Sequence, residues 1–345
     1  MKNRLVTGRA STALYLIFAN LKKKNGSILV PANICHMAVW PVLMAGYRPC
    51  FCDVDIHTGN LTHEDVKLKL ESEFDCVAMI VPHMYGNTCA DIGRIKELCA
   101  NRDIILVEDC ASILVDGINI GVNGDYVISS TGYAKPIELG FGGVVESNED
   151  LSDLEQCLND LPEIWDSYEF DEEFLSKLYR FLRNNYNGDY FCNVWTGIRP
   201  NIESLISIRL AQDKIDLVNE AFNNRNRIEK IRKRRWSAYR LYQDLIKENA
   251  KVRKYYYSES AVPWRYNLFV DEDIRAELVT YLLEHNVPVS DWYPCVTEVF
   301  GESADNYTNA LQMEKTIINF PLNIEDEEVV RITNILNEFL EGISK

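Results

Sequence analysis

Apolar residues recur at Leu14, Ile17, Phe18 and Leu21, the i, i+3, i+4, i+7 spacing of one helical face, and predict a helix over residues 10–24. The period then shortens. Ile28 to Val30 reads as a short strand stopped by Pro31, and Arg48 to Val54 as another, with a helix from His36 to Ala45 between them that ends at Gly46. Cys76 to Val81 is a continuous apolar run, as expected of a strand covered on both faces. A helix over Ile92 to Ala100 and strands over Ile104 to Val107, Tyr126 to Ser129 and Gly143 to Glu146 complete the first half. Such alternation predicts an α/β fold with a mostly parallel sheet.

From about residue 150 to 200 the alternation stops. Trp165, Tyr168, Phe170, Asp171, Glu172 and Glu173 make an acidic, aromatic stretch that reads as a surface excursion or a substrate-facing flap. Residues 203–248 read as one long, charged helix. A strand (Leu268 to Val270), a helix (Ile274 to His285), a strand (Ile317 to Phe320) and a terminal helix (Glu327 to Leu340) then outline a small α+β domain. A chain of 345 residues exceeds what one small core needs, so two domains are expected: a large α/β domain over 1–225 and a long helix plus small domain over 226–345.

Composition narrows the partners. Hydrophobic residues are 47% and charged residues 26%, ordinary for a globular chain, but the net charge of −16 argues against nucleic acid. The ten cysteines form no C-x-x-C pair, and the five histidines no H-x-x-x-H pair. Reduced cysteines in a cytoplasmic protein without a metal site are the expectation. Ala13 to Leu21 follows Lys2 and Arg4 as a signal peptide would. It is short, precedes Lys22, Lys23 and Lys24, and lacks a cleavage signal, so it reads as a helix of the fold. No apolar run approaches the ~20 residues of a membrane span.

Open parallel sheets gather ligands beyond the carboxyl ends of their strands. Asp109 falls at one such end, although a carboxylate there serves as readily as a cap. The stretch Ser129 to Lys135 falls at another, with hydroxyls to hold phosphate and an amine able to form a Schiff base. A solvated loop lysine is the plain alternative. Gly8 to Thr12 opens the first helix, where free N–H groups and the helix dipole favour an anion, or where Ser11 is simply a cap.

More segments fall in line with these three. Gly8 to Leu14 is similar to a G-S-G-T-x-A-L phosphate turn. Val30-Pro31, Ala45 to Pro49 and Phe51 to Asp55 follow V-P-S-x-T-x-x-A and G-A-x-P-V-F-V-D-I-D. Pro82 to Gly86 follows P-V-H-L-Y-G, and Val107 to Ala111 follows V-I-E-D-A-A. Gly124-Asp125, Ser130, Lys135 and Gly140 to Gly143 follow G-D, S-F-x-P-T-K and G-x-G-G, and Asn267 to Val270, Trp292 to Pro294 and Asn319 to Leu322 match H-L-F-V, H-Y-P and x-L-P-L. In order and spacing, over most of the chain, these motifs resemble the DegT/DnrJ/EryC1/StrS family of sugar aminotransferases, pyridoxal 5'-phosphate (PLP) enzymes of fold type I.

The resemblance implies roles. Lys135 would carry PLP as a Schiff base and then move the α-proton, for which the ordinary lysine pKa of ~10.4 must be depressed. Asp109 would pair with the ring nitrogen and keep it protonated. Ala10 and Ser11 would hold the phosphate with Ser130. Cys35 aligns with the family's ring-stacking aromatic, and the adjacent His36 is the expected stacking residue. Asn201 would reach the cofactor of the neighbouring subunit, which makes the enzyme a homodimer with shared sites. Tyr85, Arg265, Trp292 and Tyr293 are the expected substrate contacts. A nucleotide-linked keto-sugar and glutamate are the implied substrates.

Departures are also evident. Ser112 stands for the family's Gln near the phenolic oxygen, Leu114 for a His, Ala134 for a Thr and Trp292 for a His. Only seven residues precede Gly8 where relatives have a few dozen, so substrate choice cannot be copied. The run Arg225 to Arg235 holds seven Lys or Arg. It reads as a solvated helix face or, with Arg199 or Arg265, as a cradle for a diphosphate. Dehydratases of the family carry His at the lysine position, so Lys135 favours transfer. A sugar dehydratase and a non-catalytic regulatory protein remain the alternatives.

Overall fold

A computed structural model describes residues 3–163 and 191–343 and, between them, Phe174, Lys177, Leu178, Arg180 and Phe181. The six acidic and aromatic residues singled out between 165 and 173 lie outside the described residues. In chain order the first half contains β1 (Asn3–Thr7), α1 (Ala10–Ala19), β2 (Ser27–Pro31), α2 (His36–Met44), β3 (Arg48–Cys52), α3 (His63–Ser72), β4 (Cys76–Pro82), α4 (Ile92–Ala100), β5 (Ile105–Asp109), β6 (Tyr126–Ser130), β7 (Gly143–Ser147) and α5 (Ser152–Asn159). The second half contains α6 (Phe191–Ile206), α7 (Gln212–Asn223), α8 (Arg225–Leu245), β8 (Val252–Lys254), β9 (Tyr266–Val270), α9 (Glu272–Glu284), α10 (Thr308–Thr316), β10 (Ile317–Phe320) and α11 (Asp326–Ile343).

Seven strands form one sheet in the order β1-β7-β6-β5-β4-β2-β3. Strands β3, β2, β4, β5 and β6 run parallel, whereas β7 is antiparallel to β6 and β1 to β7. Strands β2 and β4 are buried at every residue, which is why their sequences are continuously apolar. The carboxyl ends of β4, β5 and β6 therefore open on one edge. A second sheet, β10-β9-β8, is antiparallel, and its core of Leu268, Ile318, Phe320 and Leu336 is separate from that of the large sheet.

Three readings change. Residues 203–248 are not one helix. The chain leaves α6 at Ile206 and breaks again at Asn224, whose side chain accepts the Arg227 N–H and starts α8. A polar residue on a charged face hides this cap, since Asn suits solvent and a helix start equally well. Strand β5 continues through Asp109, so that carboxylate ends the strand instead of following it. Strand β1 and helix α3 had no clear period. Pairing with β7 makes the former, and Thr62, accepting the Asp65 N–H, caps the latter.

Candidate active site

The ends of β5 and β6, the start of α1 and the loop after β2 surround a cavity of about 1040 Å³. Strand β7 brings α1 to this rim. A Cβ at Gly143 would lie 2.3 Å from the Ala10 nitrogen, so only glycine lets the helix start come so close. Thr12 fixes that start from behind: its hydroxyl accepts the Arg9 N–H (3.1 Å) and donates to the Ile206 carbonyl at the end of α6 (2.6 Å). Ala10 and Ser11, which start α1, line the cavity with Ser130, and the Ser11 N–H has no hydrogen-bond partner among the described residues.

Asp109 lies on the same cavity and is half-buried. Its Oδ1 accepts the Ala111 N–H at 2.8 Å, while Oδ2 has no partner among the described residues. Burial pushes the Asp109 carboxyl above its ordinary value, against the pull of the Ala111 N–H and of the Lys135 charge. A half-buried carboxylate with one idle oxygen fits a cationic N–H partner. Lys135 lines the cavity at the tip of the loop between β6 and β7. The base of that loop is closed by Thr131 N–H to Gly142 O (3.1 Å) and Leu139 N–H to Thr131 O (2.8 Å). Ala134, just before the lysine, has φ +58°. For a residue with a Cβ this left-handed conformation costs about 1–2 kcal/mol. The idle oxygen, the start of α1 and the loop lysine together fit PLP.

His36 and Cys35 line the wall opened by the loop after β2. Trp40 Nε1–H donates to His36 Nδ1 at 3.1 Å, which places the remaining ring hydrogen on Nε2. Burial pushes the His36 imidazole down to about 3, so it is neutral at physiological pH. Its ring stacks near Trp292 at 6.2 Å and 27°. Tyr293 lines the cavity, and burial raises its pKa although the Lys135 charge opposes this. Arg265 and Trp292 line it too.

Other expected residues stand elsewhere. Tyr85 does not line the cavity. It is fully buried, packs on Tyr255 and Tyr293, and accepts the Tyr293 N–H at 3.3 Å. Tyr85 occupies a turn with φ +58°. Asn201 is exposed on α6, off the cavity of its own chain. Arg199 pairs with Glu203 on the same helix at 2.6 Å. No residue of the basic run lines the cavity. Arg235 is buried and donates to the carbonyls of Pro263 and Trp264, and Arg234 pairs with Asp326 at 2.7 Å, so this part of the run ties α8 to the rest of the fold.

Further residues line the cavity: Arg9, His83, Trp264, Lys177 and Arg180. Arg9 and His83 fall inside quoted motifs, but nothing local marks them as wall residues. His83, Glu108 and Cys110 lie close enough together to hold a metal, within 4.8 Å. Both partners of the pair are already engaged. His83 Nδ1 accepts the Cys89 N–H (3.1 Å), so Nε2–H donates to Glu108 (3.0 Å), which also accepts N–H groups of Gly121, Asn123 and Gly124. Burial opposes the Glu108 charge, but His83 and these amides outweigh it and hold the carboxyl below its ordinary value. The pair is a strut under the loop between β5 and β6.

The mostly parallel seven-stranded sheet with the small antiparallel sheet is the fold of solved aminotransferases. The solved aminotransferase TlmJ from Streptoalloteichus hindustanus shares this fold, with a TM-score of 0.73 over 99% of this chain and 87% of that one at 20% identity. Residues 1–161 match the DegT/DnrJ/EryC1/StrS aminotransferase family model. Among curated relatives, a GDP-perosamine synthase of Vibrio cholerae is 30% identical over 162 residues, 46% of this chain and 43% of that protein. A GDP-4-keto-6-deoxy-D-mannose 3-dehydratase of Escherichia coli O55:H7 is 28% identical over 46% of this chain and 42% of its own. The chain thus matches less than half the length of these relatives. Among the described residues no helix is long and apolar enough to cross a membrane.

Proposed function

We propose that this chain is a cytoplasmic, homodimeric PLP-dependent aminotransferase that acts on a nucleotide-linked keto-sugar, with glutamate as amino donor. The observation that carries it is the meeting of Lys135 and the idle oxygen of Asp109 on one cavity, with the start of α1 on the same rim. The family and the sugar-nucleotide relatives support the substrate class.

Lys135 Nζ would hold the cofactor and, once released, take a proton from the donor and return it to the product. Asp109 Oδ2 would accept the ring N–H and keep that proton in place. The Ala10 and Ser11 amides, the dipole of α1 and the Ser130 hydroxyl would take the phosphate. When bound, the cofactor supplies the electron sink that stabilises negative charge at the carbon losing the proton. His36, kept neutral by burial and oriented by Trp40, would cover one ring face without adding a second cation beside the ring nitrogen. Tyr293, Trp292 and Arg265 would contact the substrate, and Asn201 would complete the site of the neighbouring copy.

Recombinant protein should be yellow, and borohydride should fix the cofactor on the peptide containing Lys135. Addition of glutamate should bleach the yellow form. Protein that keeps its colour in excess glutamate would speak against transamination. The similarity to a dehydratase keeps a lyase as the second reading, and a deoxygenated product without a new amine would establish it.

A further inference from the structure

The loop that carries Lys135 is held at its tip by a residue far away in sequence. Trp264, 5% exposed, donates its indole N–H to the carbonyl of Ala134 at 2.6 Å. That carbonyl belongs to the peptide joining Ala134 to Lys135, so the bond fixes the peptide plane from which the lysine departs. Ala134 is the left-handed residue of the loop, and Pro136 restricts Lys135 from the other side. The donor is itself anchored. Trp264 N–H bonds the Tyr85 carbonyl at 2.9 Å, its own carbonyl accepts from Arg235, and its ring stacks on Tyr293 at 5.3 Å and 19°. The Arg265 guanidinium lies 4.8 Å from the ring centre.

We propose that Trp264 is a positioning residue for Lys135, strapping the strained Ala134–Lys135 peptide so that the amine faces the cavity. Its consequence for cofactor attachment rests on the function proposed above; the strap itself rests on geometry alone. Without the indole N–H, Ala134 can leave the left-handed region and take the lysine with it. A glycine in place of Ala134 adopts that region without strain and has less to escape from.

The test is a double-mutant cycle of Trp264→Phe, which keeps the ring and removes the donor, with Ala134→Gly. Apparent PLP affinity is read by absorbance titration, and the share of chains labelled on Lys135 by borohydride is read by peptide mapping. The expected result is affinity about tenfold weaker in Trp264→Phe, with a clearly smaller loss when the same change is made in the Ala134→Gly background. Wild-type affinity and labelling in Trp264→Phe would overturn the strap, and so would an equal loss in both backgrounds. Melting temperatures of the cofactor-free proteins are measured in parallel and should show the same non-additive pattern. If wild-type protein fails to load PLP, the functional reading falls, and the melting cycle alone decides the strap: additive melting temperatures would overturn it.

Discussion

Asp109 is placed against its own stability. One oxygen is satisfied by Ala111, the other is idle, and burial raises the carboxyl pKa. A group whose folded pKa lies above its unfolded value adds stability that is full below the unfolded value, ~3.9, and is lost as pH rises through the folded one. Asp109→Asn should therefore raise the melting temperature of cofactor-free protein at neutral pH, with the gap closing below about pH 4. The same change should lower turnover about a hundredfold or more, because the ring nitrogen loses its anion. An Asn variant that is less stable at pH 7 would contradict the first expectation. His36 behaves in the opposite sense. Its folded value of about 3 lies below the unfolded ~6.5, so its contribution is complete above pH 6.5 and drains away as pH falls towards 3. His36→Gln should flatten the acid limb of stability over that window by up to about 1.4 kcal/mol per pH unit, measured by urea unfolding.

At the scale of elements, the loop between β5 and β6 hangs on one carboxylate. Glu108 takes hydrogen bonds from His83 and from the amides of Gly121, Asn123 and Gly124 in a fully buried position. Glu108→Ala should cost about 3–5 kcal/mol in denaturant unfolding, because it strands all four donors. The small sheet shows a reverse case. Tyr266 stacks on Tyr242 at 4.6 Å, and its buried hydroxyl has no partner among the described residues. Tyr266→Phe keeps the stack and removes the idle hydroxyl, so stability should stay level or rise by up to about 1 kcal/mol.

For the molecule as a whole, the proposed sharing of sites between copies makes a specific demand. Lys135→Ala and Asn201→Ala homodimers should each be inactive. Mixed after unfolding and refolding together, they form hybrids with one intact site, and activity should return to about a quarter of wild type. Activity that stays at the level of the parents would remove Asn201 from the site. The exposure of Asn201 and its distance from its own cavity are what the sharing requires.

Local pattern makes legible the strands of the parallel sheet and the placing of Asp109 and Lys135, on which the proposed chemistry turns, at and just beyond strand ends. Burial on both faces writes a continuous apolar run, and a lysine or carboxylate at a strand end sits where such sheets open, so both are legible locally. It could not show that Tyr85 faces inward, that Arg235 serves two carbonyls, that Asn224 divides a helix, or that Trp40 and Trp264 steady His36 and the lysine loop. Trp264 and Ala134 are 130 residues apart. Hydrogen bonds of that reach depend on where two elements come to rest, and no local period or propensity records it. Only the packed fold decided them.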